Sequence, residues 1–226
     1  LVSSRLQGTR LDGIRADGPT DELELIRLLW EDPAGFAAAR AARSAVVLAG
    51  LDLSGHTLTG VELRDLELLD AYLAGATFQD CTLVGVAVTG GDASGARFAG
   101  CHLKRVRLED SEVDDADFSG AELRFVTLER CRGRDVRLRG ARLEDVDLRG
   151  SYLPETDLTE ATGTFVDLSE ATLRASVLRD AHFEDLTAVN TDLSGADLRG
   201  LRVDDSLFDR LDLTGARTDG AVGLPD

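Results

Sequence analysis

ADFSG-AELRF-VTLER-CRGRD-VRLRG-ARLED, residues 116–145, reads as six five-residue units in a row. The third residue of each unit is Phe118, Leu123, Leu128, Gly133, Leu138 and Leu143, and the first is Ala116, Ala121, Val126, Cys131, Val136 and Ala141. Stepping by five in both directions keeps this register from about Val46 to Gly220. Of the 35 centres from Leu48 to Thr218, 30 are Leu, Phe or Val; the exceptions are Ala93, Gly133, Gly163, Ala188 and Thr218. A period of five fits neither an α-helix nor a flat strand, so the repeat itself sets the architecture.

A unit this short cannot bury its own apolar residues, and successive turns of chain must stack into one continuous core. Each unit offers two inward positions, a large centre and, two residues before it, a small residue such as Ala71, Ala76, Cys81, Ala96, Cys101 or Ala196. The outward positions are dominated by Asp, Arg, Thr, Glu and Ser. Gly often closes the unit, as at Gly55, Gly60, Gly120, Gly140, Gly150, Gly195 and Gly200, which predicts a corner needing unusual backbone angles.

Units such as Ala116-Asp117-Phe118-Ser119-Gly120, Ala196-Asp197-Leu198-Arg199-Gly200 and Ala141-Arg142-Leu143-Glu144-Asp145 resemble the A(D/N)LXX motif of the pentapeptide repeat family, over roughly residues 46–220. The resemblance implies an all-β solenoid, a right-handed quadrilateral β-helix with four units per 20-residue coil. Thirty-five units then give about 8.75 coils and a rod about 42 Å long at ~4.8 Å per coil. Phe78, Phe98 and Phe118 fall one coil apart on one face and are expected to stack. Cys81 and Cys101 are also one coil apart at inward positions, and are expected to be inert core thiols rather than a disulfide.

Residues 1–45 follow another pattern. Leu6, Leu11 and Ala16 keep a five-residue spacing in a different phase. Pro19-Thr20-Asp21-Glu22 opens a helical pattern through Leu23, Ile26, Leu29 and Trp30, and Asp32-Pro33 caps a second, Ala-rich stretch from Phe36 to Arg43. A short α-helical hairpin over 1–45, capping a 46–220 solenoid, is the expected organisation. Residues 221–226 form a short tail, which leaves the apolar Leu201, Leu207, Phe208, Leu211 and Leu213 near an open end. A two-fold homodimer through these C-terminal coils is expected. The chain lacks Met, so its native N-terminus is expected to lie upstream of Leu1.

Composition narrows function. Formal net charge is −17, of which residues 1–45 carry −1 (6 basic, 7 acidic) and the remainder −16 (19 basic, 35 acidic). That sign is wrong for direct nucleic-acid binding. No apolar run approaches the ~20 residues of a membrane span. Three cysteines at no metal-ligand spacing suit a reducing cytoplasm. His56, His102 and His182 are scattered, and no phosphate loop, zinc spacing or nucleophile elbow appears. The expectation is a protein that is not an enzyme and holds no cofactor or metal.

Surface charge is therefore the functional signal. The two adjacent faces that contain Leu48 and Leu53 carry 9 acids each against 4 and 3 Arg. Asp115, Asp135 and Glu155 stack at one corner; Asp92 and Glu112 stack beside them, with Glu109, Asp110 and Asp114 close by, and Asp70, Asp167 and Glu170 extend the acidic surface. Asp117, Arg137 and Asp157 alternate on another face as an expected ion-pair ladder. Residues 124–149 interrupt the acidity with 8 Arg against 5 acids, a basic waist. A 42 Å length of duplex DNA carries about 25 charges, so −16 over a similar length is a comparable if lower density. Exposed aromatics are expected at Phe125 and Phe165 on one edge and at Tyr72 and Tyr152 on one face.

In function the chain resembles Qnr- and MfpA-type members, which imitate duplex DNA. It implies a partner in DNA gyrase or topoisomerase IV, bound through the acidic surface, and protection of that enzyme from fluoroquinolones or natural poisons. The alternative is a non-enzymatic scaffold for some other protein.

Overall fold

The structure is a computed structural model that describes residues 27, 28, 32, 35, 36, 38, 39, 46–48 and 51–225. Each strand pairs in parallel with the residue twenty positions further on: Val46 with Leu66, Thr57 with Thr77, Leu83 with Leu103, Glu122 with Arg142, His182 with Arg202. Isolated bridges continue the same register from Asp52↔Tyr72 to Arg202↔Val222. The chain is thus a four-faced β-solenoid of about eight turns.

Backbone hydrogen bonds run between turns in both directions. Phe98 N donates to Asp117 O at 2.7 Å, and Asp117 N donates to Ala96 O at 2.9 Å. Every turn therefore satisfies its neighbours' peptide groups, which a buried backbone requires. Four corners close each turn. From Gly55 to Gly220 every fifth residue, 34 in all, has a positive φ: 14 Gly and 20 others, among them ten Asp and Asn190. At about half of the corners the backbone of the following residue bonds across the turn, as Ala76 N does to Leu73 O at 2.8 Å. A turn with positive φ at its third residue favours Gly or Asn, and a short polar side chain such as Asp tolerates it. The prediction that corners need unusual angles holds, although Gly fills fewer than half of them.

The core is one column of buried side chains. Phe78, Phe98 and Phe118 form the expected stack, with ring centroids 4.7 and 5.0 Å apart and planes within 9°. Coil spacing sets these centroid separations, which fall within the range of stacked aromatic pairs. The two glycines at centre positions are there for space. A Cβ on Gly133 would lie 2.6 Å from the Val113 carbonyl carbon, and one on Gly163 would lie 2.7 Å from Cδ1 of Phe183. Phe183 thus fills the volume that Gly163 vacates one turn earlier. Buried Ser111, Ser151 and Thr191 donate to Val88, Leu128 and Leu168 carbonyls, so inward hydroxyls are not orphaned. The three thiols use the same geometry, bonding Leu58, Phe78 and Leu108 carbonyls. All three cysteines are free and buried, as the sequence led us to expect.

At the N-terminal side, Arg27 and Leu28 are helical, as are Gly35, Phe36, Ala38 and Ala39. Asp32 Oδ1 accepts the Gly35 N–H at 3.0 Å, an N-cap arrangement. Phe36 is buried and belongs to the same apolar cluster as Val46, Leu48 and Leu51. The expected spacing Leu6, Leu11 and Ala16, the start at Pro19, and Leu23, Ile26, Leu29, Trp30 and Arg43 lie outside the described residues.

At the other end, Leu201 is only 1% exposed and belongs to the core, which corrects its expected place at an interface. Leu207 is 57% exposed, while Phe208, Leu211 and Leu213 are half-buried against the core.

Phe98 sits between two rings with no room to relax. Phe98→Ala is expected to destabilise the fold by about 3–5 kcal/mol, read as a lowered urea midpoint. A change under about 1 kcal/mol would show that the stack contributes little.

Candidate interaction surface

The acidic side chains divide into three groups by what they touch. The first is structural. Asp52, Asp92, Asp117, Asp147, Asp157, Asp167, Asp192, Asp197 and Asp212 each precede a centre and accept the backbone N–H two residues on. This local bond is what Asp contributes at that place in the unit, since it holds the turn that follows. Asp92 and Asp167, expected to serve a partner, belong to this group.

The second group is ion-paired. Arg130 grips Asp110 with two bonds of 2.8 and 2.9 Å, and holds its carboxyl below the usual range. Arg107 lies 3.7 Å from Glu109, Arg134 3.7 Å from Glu155 and Arg137 3.4 Å from Asp115. Arg149 lies 3.7 Å from Asp167, Arg124 2.7 Å from Glu144 and Arg139 3.8 Å from Glu160. Six of the eight waist arginines thus meet carboxylates, and the basic waist is in large part a set of clamps between turns. Only Arg132 and Arg142 have no ion pair there among the described residues. Each exposed pair is individually weak. The expected ladder of Asp117, Arg137 and Asp157 does not form: Arg137 reaches diagonally to Asp115, and both aspartates bond their own turns.

The third group remains available. Asp70, Glu112, Asp135 and Glu170 are exposed and have no ion pair or side-chain hydrogen bond among the described residues. Asp114 keeps one bond, from the Arg134 N–H at 2.7 Å, and has no cation partner among the described residues. Glu112, Asp114 and Asp135 lie on adjacent turns of the face containing Leu53 and on the edge beyond it.

No other chemistry gathers. His102 bonds Glu122 at 3.0 Å, His182 bonds Asp204 at 2.9 Å and His56 bonds the Ser54 carbonyl at 2.9 Å. Among the described residues no three His, Cys, Asp or Glu side chains converge as a metal site, and no helix is long and apolar enough to cross a membrane. Burial pushes the Cys101 thiol up to about 11 and Cys131 up to about 12, and raises Cys81. An open groove of ≈ 780 Å³ lies over Gly163, bounded by Arg142, Glu144, Thr164, Phe165 and Glu184.

A parallel solenoid of five-residue units with charged edges defines the class, and comparison with known proteins agrees. The family model described as pentapeptide repeats matches eight copies over residues 81–120, 114–150, 141–180 and 176–217. The chain belongs to the pentapeptide repeat family. Among solved structures it is similar to HetL, a pentapeptide repeat protein involved in heterocyst differentiation regulation from the cyanobacterium Nostoc sp. strain PCC 7120. That match has 21% identity over 83% of this chain and 93% of HetL, with a TM-score of 0.44. QnrB1, a plasmid-mediated fluoroquinolone resistance protein, matches with 15% identity over 77% of this chain and 92% of its own, with a TM-score of 0.36. Rfr23 from the cyanobacterium Cyanothece 51142 matches with 15% identity over 88% and 97%, with a TM-score of 0.25. No curated protein sequence matches the chain.

The division of the acids is testable. Asp157→Ala should cost about 1 kcal/mol through the lost Thr159 bond, whereas Glu112→Gln should leave the denaturation midpoint unchanged or raised. Equal losses would erase the distinction. Ser54 bonds hold Asp52 below the usual carboxylate range, Thr214 bonds do so for Asp212, and Arg199 then Arg179 for Asp197. Stability from such groups is complete above the ordinary carboxylate pKa of about 4 and is lost as pH falls through the lower folded values. Thermal midpoints should therefore drop between neutral and strongly acid buffer. The raised thiols should resist a soluble disulfide reagent near neutral pH until the chain is unfolded.

Proposed function

We propose that this protein is a DNA mimic that binds a type II topoisomerase, DNA gyrase or topoisomerase IV, in the place of duplex DNA. On this reading it modulates the enzyme in the cytoplasm and shields it from fluoroquinolones or natural gyrase poisons. The observation that carries the reading is the run of carboxylates without arginine partners, Glu112, Asp114 and Asp135, set on a rigid ladder at about 4.8 Å per turn. A groove built for phosphates recognises anion spacing and sign, and such a ladder supplies both without a nucleic acid. The exposed Leu207 and half-buried Phe208, Leu211 and Leu213 support a homodimer through the last coils, which would lengthen the charged rod. Binding alone accounts for the effect, and no catalytic step is required.

The acidic footprint is narrower than the full set of expected residues. Asp110 and Asp115 are already held by Arg130 and Arg137, so reversing them would disturb the rod as well as its partner. Glu112→Lys with Asp135→Lys is the cleaner variant, because arginine already occupies the place of Glu112 one turn on, at Arg132, and the corner geometry of Asp135 at Arg105, Arg130 and Arg210. In a supercoiling assay with purified gyrase, wild type should inhibit the enzyme or protect it from a fluoroquinolone, and the double variant should lose at least about tenfold in potency with an unchanged thermal midpoint. Absence of any wild-type effect across a range of salt would sink the reading.

A further inference from the structure

We propose that the edge carrying Phe125, Asp145, Phe165 and Asp185, together with the groove beside Phe165, docks a segment of another protein that presents basic and apolar side chains. The proposal goes beyond the topoisomerase reading and does not rest on it, because this edge lies diagonally across the square from that of Asp135.

Every corner demands a positive φ, and Phe125 and Phe165 adopt 55° and 56°. Seven other corners hold Arg, Glu or Ala in the same conformation, so what sets these two apart is a bulky apolar ring where Gly, Asp or Asn would meet the same demand with less strain. Burial does not offset the strain, since the two side chains are 47% and 56% exposed. Neither folding nor solubility accounts for these two choices. Both occur on one edge two turns apart, about 9.6 Å from each other. Strained residues that the fold does not need are a signature of a binding site.

The edge is also held rigid. The strands Glu122–Thr127, Arg142–Asp147 and Thr162–Asp167 run unbroken through it. Parallel pairing fixes both sides of the bend, with Arg124 opposite Glu144 and Val126 opposite Val146, then Glu144 opposite Thr164 and Val146 opposite Val166. Aromatic anchors presented this way lose little freedom on binding.

Charge selects the occupant. Asp145 sits between the two rings, and Asp185 and Asp205 continue the edge; none has an ion pair among the described residues. The groove floored by Gly163 is lined by five carboxylates and two guanidinium groups, and Arg124 is committed to Glu144. An arginine of the partner can stack on a phenylalanine face while reaching the neighbouring aspartate, and an apolar side chain can enter over Gly163. A nucleic acid is excluded by sign.

The test uses the full chain and short fluorescent peptides of alternating Arg and Leu, with Arg–Ser and Glu–Leu counterparts, read by anisotropy. Wild type should bind the Arg–Leu peptide at least about tenfold more tightly than either counterpart. Phe125→Gly with Phe165→Gly leaves the net charge unchanged, and should abolish that preference while raising the thermal midpoint by relieving both corners. Equal peptide affinity in wild type and variant would overturn the proposal. So would a lowered thermal midpoint, which makes the rings structural. A wild-type dimer that the variant converts to monomer would overturn it too, by making the occupant a second copy.

Discussion

The hydrogen bond between a peptide group and its counterpart about twenty residues away is the constraint on which everything else rests. Once it repeats, each side chain lies directly over the equivalent one in the next turn. The core must then be built from columns rather than from interlocking layers. Columns explain the stack of Phe78, Phe98 and Phe118, and they explain why an irregular centre such as Gly163 needs a compensating neighbour in Phe183. The same bond pairs peptide groups from one turn to the next along the described coils, so a thin rod with modest core area per turn holds together.

That constraint also makes surface charge a problem. Identical outward positions stack at about 4.8 Å, and like charges there repel. The molecule answers by pairing across turns: Arg130 reaches back to Asp110 in the stacked position, while Arg134 reaches diagonally forward to Glu155 and Arg137 diagonally back to Asp115. Many acids escape such pairing among the described residues, and the functional argument rests on where Glu112, Asp114 and Asp135 lie rather than on the bulk charge of −17.

The fold was almost wholly legible, because a fixed period carries register, inward and outward positions, the phenylalanine stack, the corners and the buried thiols together. The interaction surface was legible only in outline. Which acid stacks over which follows from counting by twenty, but which arginine reaches which acid depends on long side chains choosing between vertical and diagonal neighbours. Arg137 was expected to join Asp117 and Asp157 and instead meets Asp115. The role of aspartate before the centre was missed, although the recurrent Asp followed two residues later by Ser or Thr could have revealed it. Leu201 was read as exposed because of its nearness to the end of the rod, yet a further turn through Val222 covers it.

The square cross-section has an evolutionary corollary. Inserting or deleting twenty residues would add or remove a whole turn and leave every downstream side chain on its own face. An insertion or deletion of five would keep one large and one small inward residue in every unit, although it would part columns such as Gly163 over Phe183 where it fell between them. It would nonetheless rotate the entire downstream exterior by a quarter turn. Duplication of a single unit between regular columns can thus present an old core under a reshuffled surface, a route to new specificity that keeps the fold.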